Sequence, residues 1–286
     1  MARTFSLAGL SCALAFTGGC AVSKKHVVKP VAMQPALSAT KSELLARYNR
    51  TASALKSITA QVHMIPTAGS ALSGVIEQYH EVNGFILASR PGSIRVIGQA
   101  PIVAKDIFDM VSDGETFRIF IPSKNKFIVG PTALRRPANK PIENLRPQHL
   151  FDAILWPDVP RDAVALLEQI EDPPKRFYVL TIAAAASGQW NLSRKIWFDR
   201  VDLQVARIQT YGPDGGILSD VRFNDWQPAG DETYPYDISL SRPADEYQLE
   251  IRITQLTLNQ PIPASRFELA QPPGTELVQL GEEKQP

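Results

Sequence analysis

The sequence predicts a mainly β protein with a few helices, of the α+β class, built from consecutive antiparallel strands. Three observations carry this. From Ile58 onward, apolar and polar residues alternate with a period of two in segment after segment, the mark of half-buried strands. Turn signals separate the runs, and Asp113-Gly114 is the strongest of them. One stretch of helical spacing stands ahead of the first strand.

That helix is predicted over 41–56. Thr40 offers an N-cap and Glu43 completes a capping box. Leu44, Leu45, Tyr48, Ala52 and Leu55 fall on one face, as expected of a helix packed on a sheet. The period then switches. Ile58, Ala60, Val62 and Met64 alternate with Thr59, Gln61 and His63. LSGVIEQYHEV, GFILASRPGSIRVIGQAP and KDIFDMVSDGETFRIFIPSKNKFIVG continue as a meander rather than as βαβ units. Prolines 131, 137, 141, 147, 157 and 160 interrupt the pattern. Between them, PQHLFDAILW and PRDAVALLEQ are read as two short helices, the second with Pro160 near its start. Strands resume with KRFYVLTIAAA and run to YQLEIRITQLTLNQ, in which Tyr247, Leu249, Ile251 and Ile253 share one face. The sum is about ten or eleven strands against three helices. With no compositional break, residues 40–275 are expected to form a single domain, and 276–286 a polar tail.

The chain of 286 residues has two cysteines, Cys12 and Cys20. A basic start at Arg3, an apolar run from Phe5 to Phe16 and small residues before Cys20 describe a secretory signal over 1–19, too short to span a bilayer. The arrangement resembles a bacterial lipoprotein signal, in which the cysteine is acylated and becomes the first mature residue. Thr17 stands where that pattern usually has Leu, Val or Ile. The resemblance makes Cys20 the lipid attachment site, with an anchor of two or more acyl chains. Ala21, where Asp often retains such proteins in the inner membrane, implies the outer membrane, with the domain facing the periplasm. Residues 20–39, broken by Pro30 and Pro35, read as the lipidated cysteine and a flexible tether of roughly 60 Å at full extension. An ordinary cleaved signal is the alternative.

Composition excludes several classes. Thirty basic residues balance 29 acidic ones, with no basic block of the kind that binds nucleic acid. The four histidines, His26, His63, His80 and His149, show no metal-ligand spacing, and no metal or cofactor is expected. His63 reads as outward-facing and His149 as a helix cap or a solvated side chain. No serine sits in GxSxG and no mature cysteine is left to pair with a histidine as nucleophile. Asp106, Asp109 and Asp113 read as solvated residues of a hairpin. The expectation is a protein without catalytic residues.

SIRVIGQAPIVAKDIFDMVSDGETFRIFIPSKNKFIVG and RKIWFDRVDLQVARIQTYGPDG resemble the core and later runs of the LolA/LolB-like lipoprotein-localisation superfamily. The likeness covers roughly 41–270 and rests on the order of elements. It implies an unclosed, strongly curved antiparallel β-barrel with helices packed as a lid over an apolar cavity. Pro101, Ile102 and Val103 fall where the family's receptors carry an apolar membrane-insertion loop, although Val103-Ala104 replaces the usual small, Gly-containing continuation. The other reading starts the next core strand there. Phe108, Phe120, Trp156 and Trp197 are candidate cavity or lid residues, with Trp156 beside Pro157 favoured as lid. The expected function is binding of a lipid, or of the acyl chains of a lipoprotein, for transport or insertion at the outer membrane. The expected partners are the membrane, through the N-terminal lipid, and a hydrophobic lipid or acylated protein. The alternative is a non-catalytic envelope scaffold that binds a protein partner.

Overall fold

The computed structural model describes residues 34–70, 75–102, 105–133, 144–186 and 188–281. Cys12, Cys20 and Val103 lie outside them. Helix α1 (Lys41–Ala54) is followed by β1 (Ser57–Ser70), β2 (Val75–Gln78), β3 (Val82–Ser89), β4 (Ser93–Gln99), β5 (Asp106–Ser112), β6 (Thr116–Ile121) and β7 (Lys126–Pro131). Helix α2 (Pro147–Ile154) leads to β8 (Val164–Asp172), β9 (Lys175–Ala186), β10 (Gln189–Asp199), β11 (Val205–Tyr211), β12 (Ile217–Ala229), β13 (Glu232–Arg242) and β14 (Tyr247–Leu258). A last strand, β15 (Glu276–Gln279), falls in the segment read as a polar tail.

All of them join one sheet in the order β15-β7-β6-β5-β4-β3-β1-β14-β13-β12-β11-β10-β9-β8, with β2 paired to β1 beside this path. The expected strongly curved barrel does not form: the sheet is open and not strongly curled, and it has 15 strands rather than ten or eleven. A barrel closes when its outermost strands pair. Here the final strand pairs in parallel with β7 and widens one edge, while β8 remains the other edge. That parallel pair also departs from the all-antiparallel expectation.

The second predicted mid-chain helix is also corrected. PRDAVALLEQ becomes β8, paired antiparallel with β9 from Val164↔Ala183 to Asp172↔Lys175. Ala and Leu are strong helix formers, but intrinsic propensity is a small term that tertiary pairing overrides. The apolar strand β9 needs a neighbour, and Ala165 turns inward while Leu166 turns out to solvent. Two α-helices, not three, occur among the described residues.

The core lies between the helices and one sheet face. Thr40 and Glu43 form the capping box of α1, with Glu43 N–H to Thr40 Oγ1 at 3.3 Å and Thr40 N–H to Glu43 Oε2 at 2.8 Å. Leu44, Tyr48 and Ala52 of α1 are buried against the sheet. Ile58, Ala60, Val62 and Met64 of β1 and Tyr247, Leu249, Ile251 and Ile253 of β14 face the same core, as the alternation predicts. Trp156, just past α2, is at its centre. Its ring centroid lies 5.1 Å from Phe223, 6.3 Å from Tyr234, 6.4 Å from Trp226 and 6.5 Å from Tyr48.

The opposite face is crossed by the chain after β14. Arg95 of β4 donates to the carbonyls of Arg266 and Glu268 at 3.0 and 3.4 Å. The same guanidinium grips Asp109 of β5 at 3.0 and 2.7 Å. Asp109 is therefore a buried ion-pair partner and not a solvated hairpin residue. Asp113 instead caps its own turn, accepting from the N–H groups of Glu115 and Thr116.

His149, expected as a cap or in solvent, is half-buried on α2, with Nδ1 2.6 Å from the Tyr247 hydroxyl. Burial, with Arg242 and Arg146 nearby, holds its pKa well below the ordinary value. The unfolded chain therefore binds more protons below about pH 6.5. The stabilisation from neutral His149 is fully present above that pH and is lost as pH falls toward the depressed native pKa. Urea midpoints from pH 7.5 to 5 should fall more steeply for the native chain than for His149→Gln. Parallel curves would remove His149 as the acid-sensitive group.

Candidate functional site

Antiparallel pairing sorts the strand ends into two rims. One, the near rim, receives the chain at residues 34–39. There Leu37 N–H donates to Arg200 O at 2.6 Å, Arg176 donates to Gln34 O, and Ala39 N–H reaches the Tyr178 hydroxyl at 3.3 Å. Arg200 lies in the β10–β11 turn and its guanidinium is 4.6 Å from the Tyr178 ring centroid. The far rim carries the β4–β5 turn, the β1–β2 end, the β6–β7 turn and the β9–β10 turn.

Large apolar side chains are exposed on the far rim. Ile102, in the β4–β5 turn, is 96% exposed and Ile76 of β2 is 66% exposed. Tyr79 and Ile107 are also exposed on this rim, and Phe85 is exposed two pairs inside it, opposite Ile97. Trp190 is exposed at the far end of β10.

The turn that carries Ile102 is braced from below. Ala100 N–H donates to Lys105 O at 2.9 Å and Gln99 Nε2 to Asp106 Oδ1 at 2.9 Å. A bulge falls between Gly98 and Gln99, where β4 meets β5. Phe108 lies across Gly98 so closely that a Cβ there would sit 2.4 Å from its ring. The bulge and the missing side chain let Phe108 seal the core directly beneath the turn. Pro101 and Ile102 are thus lifted clear of the sheet, not the start of a core strand.

The four aromatic candidates are not brought together. Phe108 and Trp156 lie on the helix side of the sheet. Phe120 pairs opposite Asp109 and Phe127 on the other side. Trp197 pairs opposite Arg207, also on that side, with the guanidinium 4.9 Å from its ring centroid. Arg207 is itself ion-paired to Asp220. Trp156 is packed on several sides by aromatic rings. Exposure of Ile76 and Tyr79 was missed in the sequence, because alternation identifies a strand's two faces without saying which ends protrude.

A cleft of about 390 Å³ opens on the near rim, between the β12–β13 turn and the end of β14, lined by Gly230, Asp231, Glu232, Leu256 and Leu258 among others. Among the described residues, no group of three or more His, Cys, Asp or Glu is placed to hold a metal ion. No described helix is long and apolar enough to cross a membrane.

No protein-family model matches the sequence, and neither does any curated protein. Solved structures with a similar chain path do exist. A LolA superfamily protein from Nitrosomonas europaea is 13% identical at a TM-score of 0.48, covering 81% of this chain and 99% of that one. A DUF1329 family protein from Desulfovibrio piger is 11% identical at 0.48, covering 79% and 95%. A domain from Vibrio parahaemolyticus described as an outer membrane lipoprotein-sorting protein is 8% identical at 0.45, covering 79% and 94%. All three similarities lie below a TM-score of 0.5.

Proposed function

We propose that this protein is a lipoprotein of the cell envelope, anchored through Cys20, that binds lipid or the acyl chains of a lipoprotein in transit to or into the outer membrane. The observation that carries the reading is Ile102, almost wholly exposed on a braced turn. Keeping an isoleucine in water forgoes about 1.5–3 kcal/mol of burial. A ligand made of acyl chains recovers that energy on contact. No covalent step is needed, since removing apolar surface from water drives the binding.

The described side chains packed around Trp156 favour contact at the rim over a deep pocket at that point. Ile102→Glu should leave the melting temperature unchanged, because the side chain touches no core. It should lower transfer of an acylated probe peptide to vesicles about tenfold, as expected from losing at least 1.4 kcal/mol of burial. Unchanged transfer by a natively folded variant would end this reading.

A scaffold role is the second reading. Strand β8 is a free edge bearing exposed Val164 and Leu166, a surface on which another chain can add a strand. Lys41 partly blunts that edge by donating to the Ala165 carbonyl at 3.1 Å.

A further inference from the structure

The corner of the sheet formed by β8, β9 and β10 carries an apolar patch of its own. Strand pairing fixes which side chains share a face there. Val164 of β8 stands opposite Ala183 of β9, and Ala183 opposite Leu192 of β10. Leu166 stands opposite Thr181, and Trp190 opposite Ala185. Opposed residues of an antiparallel pair point to one side, as do residues two apart on a strand. Val164, Leu166, Leu192 and Trp190 therefore share one face, the reverse of the core face that holds Tyr178, Leu180 and Ile182. Val164 is 43%, Trp190 58% and Leu166 61% exposed.

The β9–β10 hairpin also overshoots its neighbours. Pairing with β8 starts at Ala183, and pairing with β11 stops at Arg194. Beyond them, residues 184–186 pair with 189–191 and with no other described strand. Three residues project about 10 Å. Residues 177–193 contain no charged side chain. Across from Trp190 stands only the methyl group of Ala185, too small to shield an indole.

We infer that this corner docks on the surface of a lipid bilayer, with the Trp190 indole at the boundary between headgroups and acyl chains. Ile102 lies on another turn and takes no part in this contact. The headgroup region is about 5–8 Å deep on each side of a bilayer, so the overhang is long enough to bring the indole to that boundary. Tryptophan is favoured there, its ring being apolar and its N–H polar. The outward backbone groups of the ribbon stay among hydrated headgroups, where water satisfies them.

A protein strand fits this corner less well. Added to β8, it would cover that edge and leave Trp190 in water. Added to the ribbon, it would find three residues, the lower limit of strand length. Fluid lipid covers Val164, Leu166 and Trp190 together without a preformed counterpart. Charges begin only at the base and are of both signs. Lys195 stands opposite Thr181, Glu168 accepts from Thr181 Oγ1 at 2.8 Å, and Arg161 and Asp162 precede β8. Attachment therefore depends little on headgroup charge or salt.

The test uses the whole chain from residue 20 with Cys20→Ala, so that no acyl group holds it to a vesicle. Flotation with phosphatidylcholine vesicles measures binding, and lipids brominated along the acyl chain quench any tryptophan that reaches them. Binding should be the same with phosphatidylglycerol added and at low and high salt. Trp190→Asp should bind about tenfold more weakly at an unchanged melting temperature, since the side chain lies outside the core. Bromine quenching should appear in the wild type, vanish in Trp190→Phe and persist in Ile102→Glu. Flotation that needs Ile102 but not Trp190, without quenching, would overturn the corner contact and leave the lipid-contact reading of Ile102 standing. Quenching that persists in Ile102→Glu, while that variant transfers acylated peptide normally, would uphold the corner contact and end the other reading. No flotation, or flotation with anionic vesicles alone that salt abolishes, would overturn the inference. So would Trp190 emission that shifts to the blue with protein concentration yet resists bromine, the mark of a second copy on this corner.

Discussion

Trp156→Ala is expected to remove about 3–5 kcal/mol of folding stability, the usual cost of emptying a buried aromatic site. Trp156 is 1% exposed and touches rings from α1, β12 and β13 at once. Tyr48 on one side cannot swing into the space. Its hydroxyl donates to Pro157 O at 2.9 Å and accepts from Arg194 at 2.7 Å, and burial pushes its pKa up to about 12. Tyr234 is held in the same way, donating to Ile154 O at 2.8 Å. With its walls tied, the site collapses little and most of the cavity cost remains. In a body of this size the melting temperature should fall by about 6–20 °C. The indole Nε1 has no hydrogen-bond partner among the described residues, so phenylalanine loses volume alone. Trp156→Phe should therefore cost less than about 2 kcal/mol. Equal losses for the two variants would refute a packing role.

Arg90→Met should cost about 3 kcal/mol, because one guanidinium joins both helices to the sheet. Arg90 follows β3. Its Nε donates to Leu55 O at 2.9 Å, and its Nη2 lies 3.1, 3.0 and 3.5 Å from the carbonyls of Ala52, Trp156 and Leu155. These carbonyls belong to the last turn and cap of α1 and to the exit of α2. Helix C-termini leave carbonyls without intrahelical partners and carry partial negative charge, so a cation there is favoured twice. Met keeps the aliphatic stem and removes only the fork. Lysine restores the charge but reaches fewer carbonyls, and should recover less than half the loss. Urea denaturation monitored by tryptophan fluorescence gives both numbers. A Met variant with an unshifted midpoint would mean that the helices are held by apolar packing alone.

Parts of the site were legible in the sequence and parts were not. Ile102 could be singled out only through the resemblance, by its place after Pro101 in the run that resembles the superfamily's core run; its spacing alone is equally compatible with the start of a core strand. Its companions Ile76 and Tyr79 could not, since their exposure follows from β1 running several residues beyond β3. His149 looked like a surface cap because it stands near a helix start after Pro147. Only the approach of Tyr247, 98 residues later, partly covers it. Asp109 looked solvated beside a turn until Arg95 and the crossing C-terminal chain covered it.

By itself the sequence determined what depends on neighbours a few residues apart. The Thr40–Glu43 cap, the period of two in β1 and β14 and the Asp113-Gly114 turn are local, and each formed as the spacing requires. Tertiary structure alone decided what depends on long-range partners. Residues 164–172 became a strand because β9 offered an unpaired edge, which outweighed a modest helix preference. The sheet stays open, with residues 276–279 added to β7 at one edge and β8 left as the other. Strand periodicity specifies which side chains share a face. It carries no information about which edges pair, and that pairing separates a closed barrel from an open sheet.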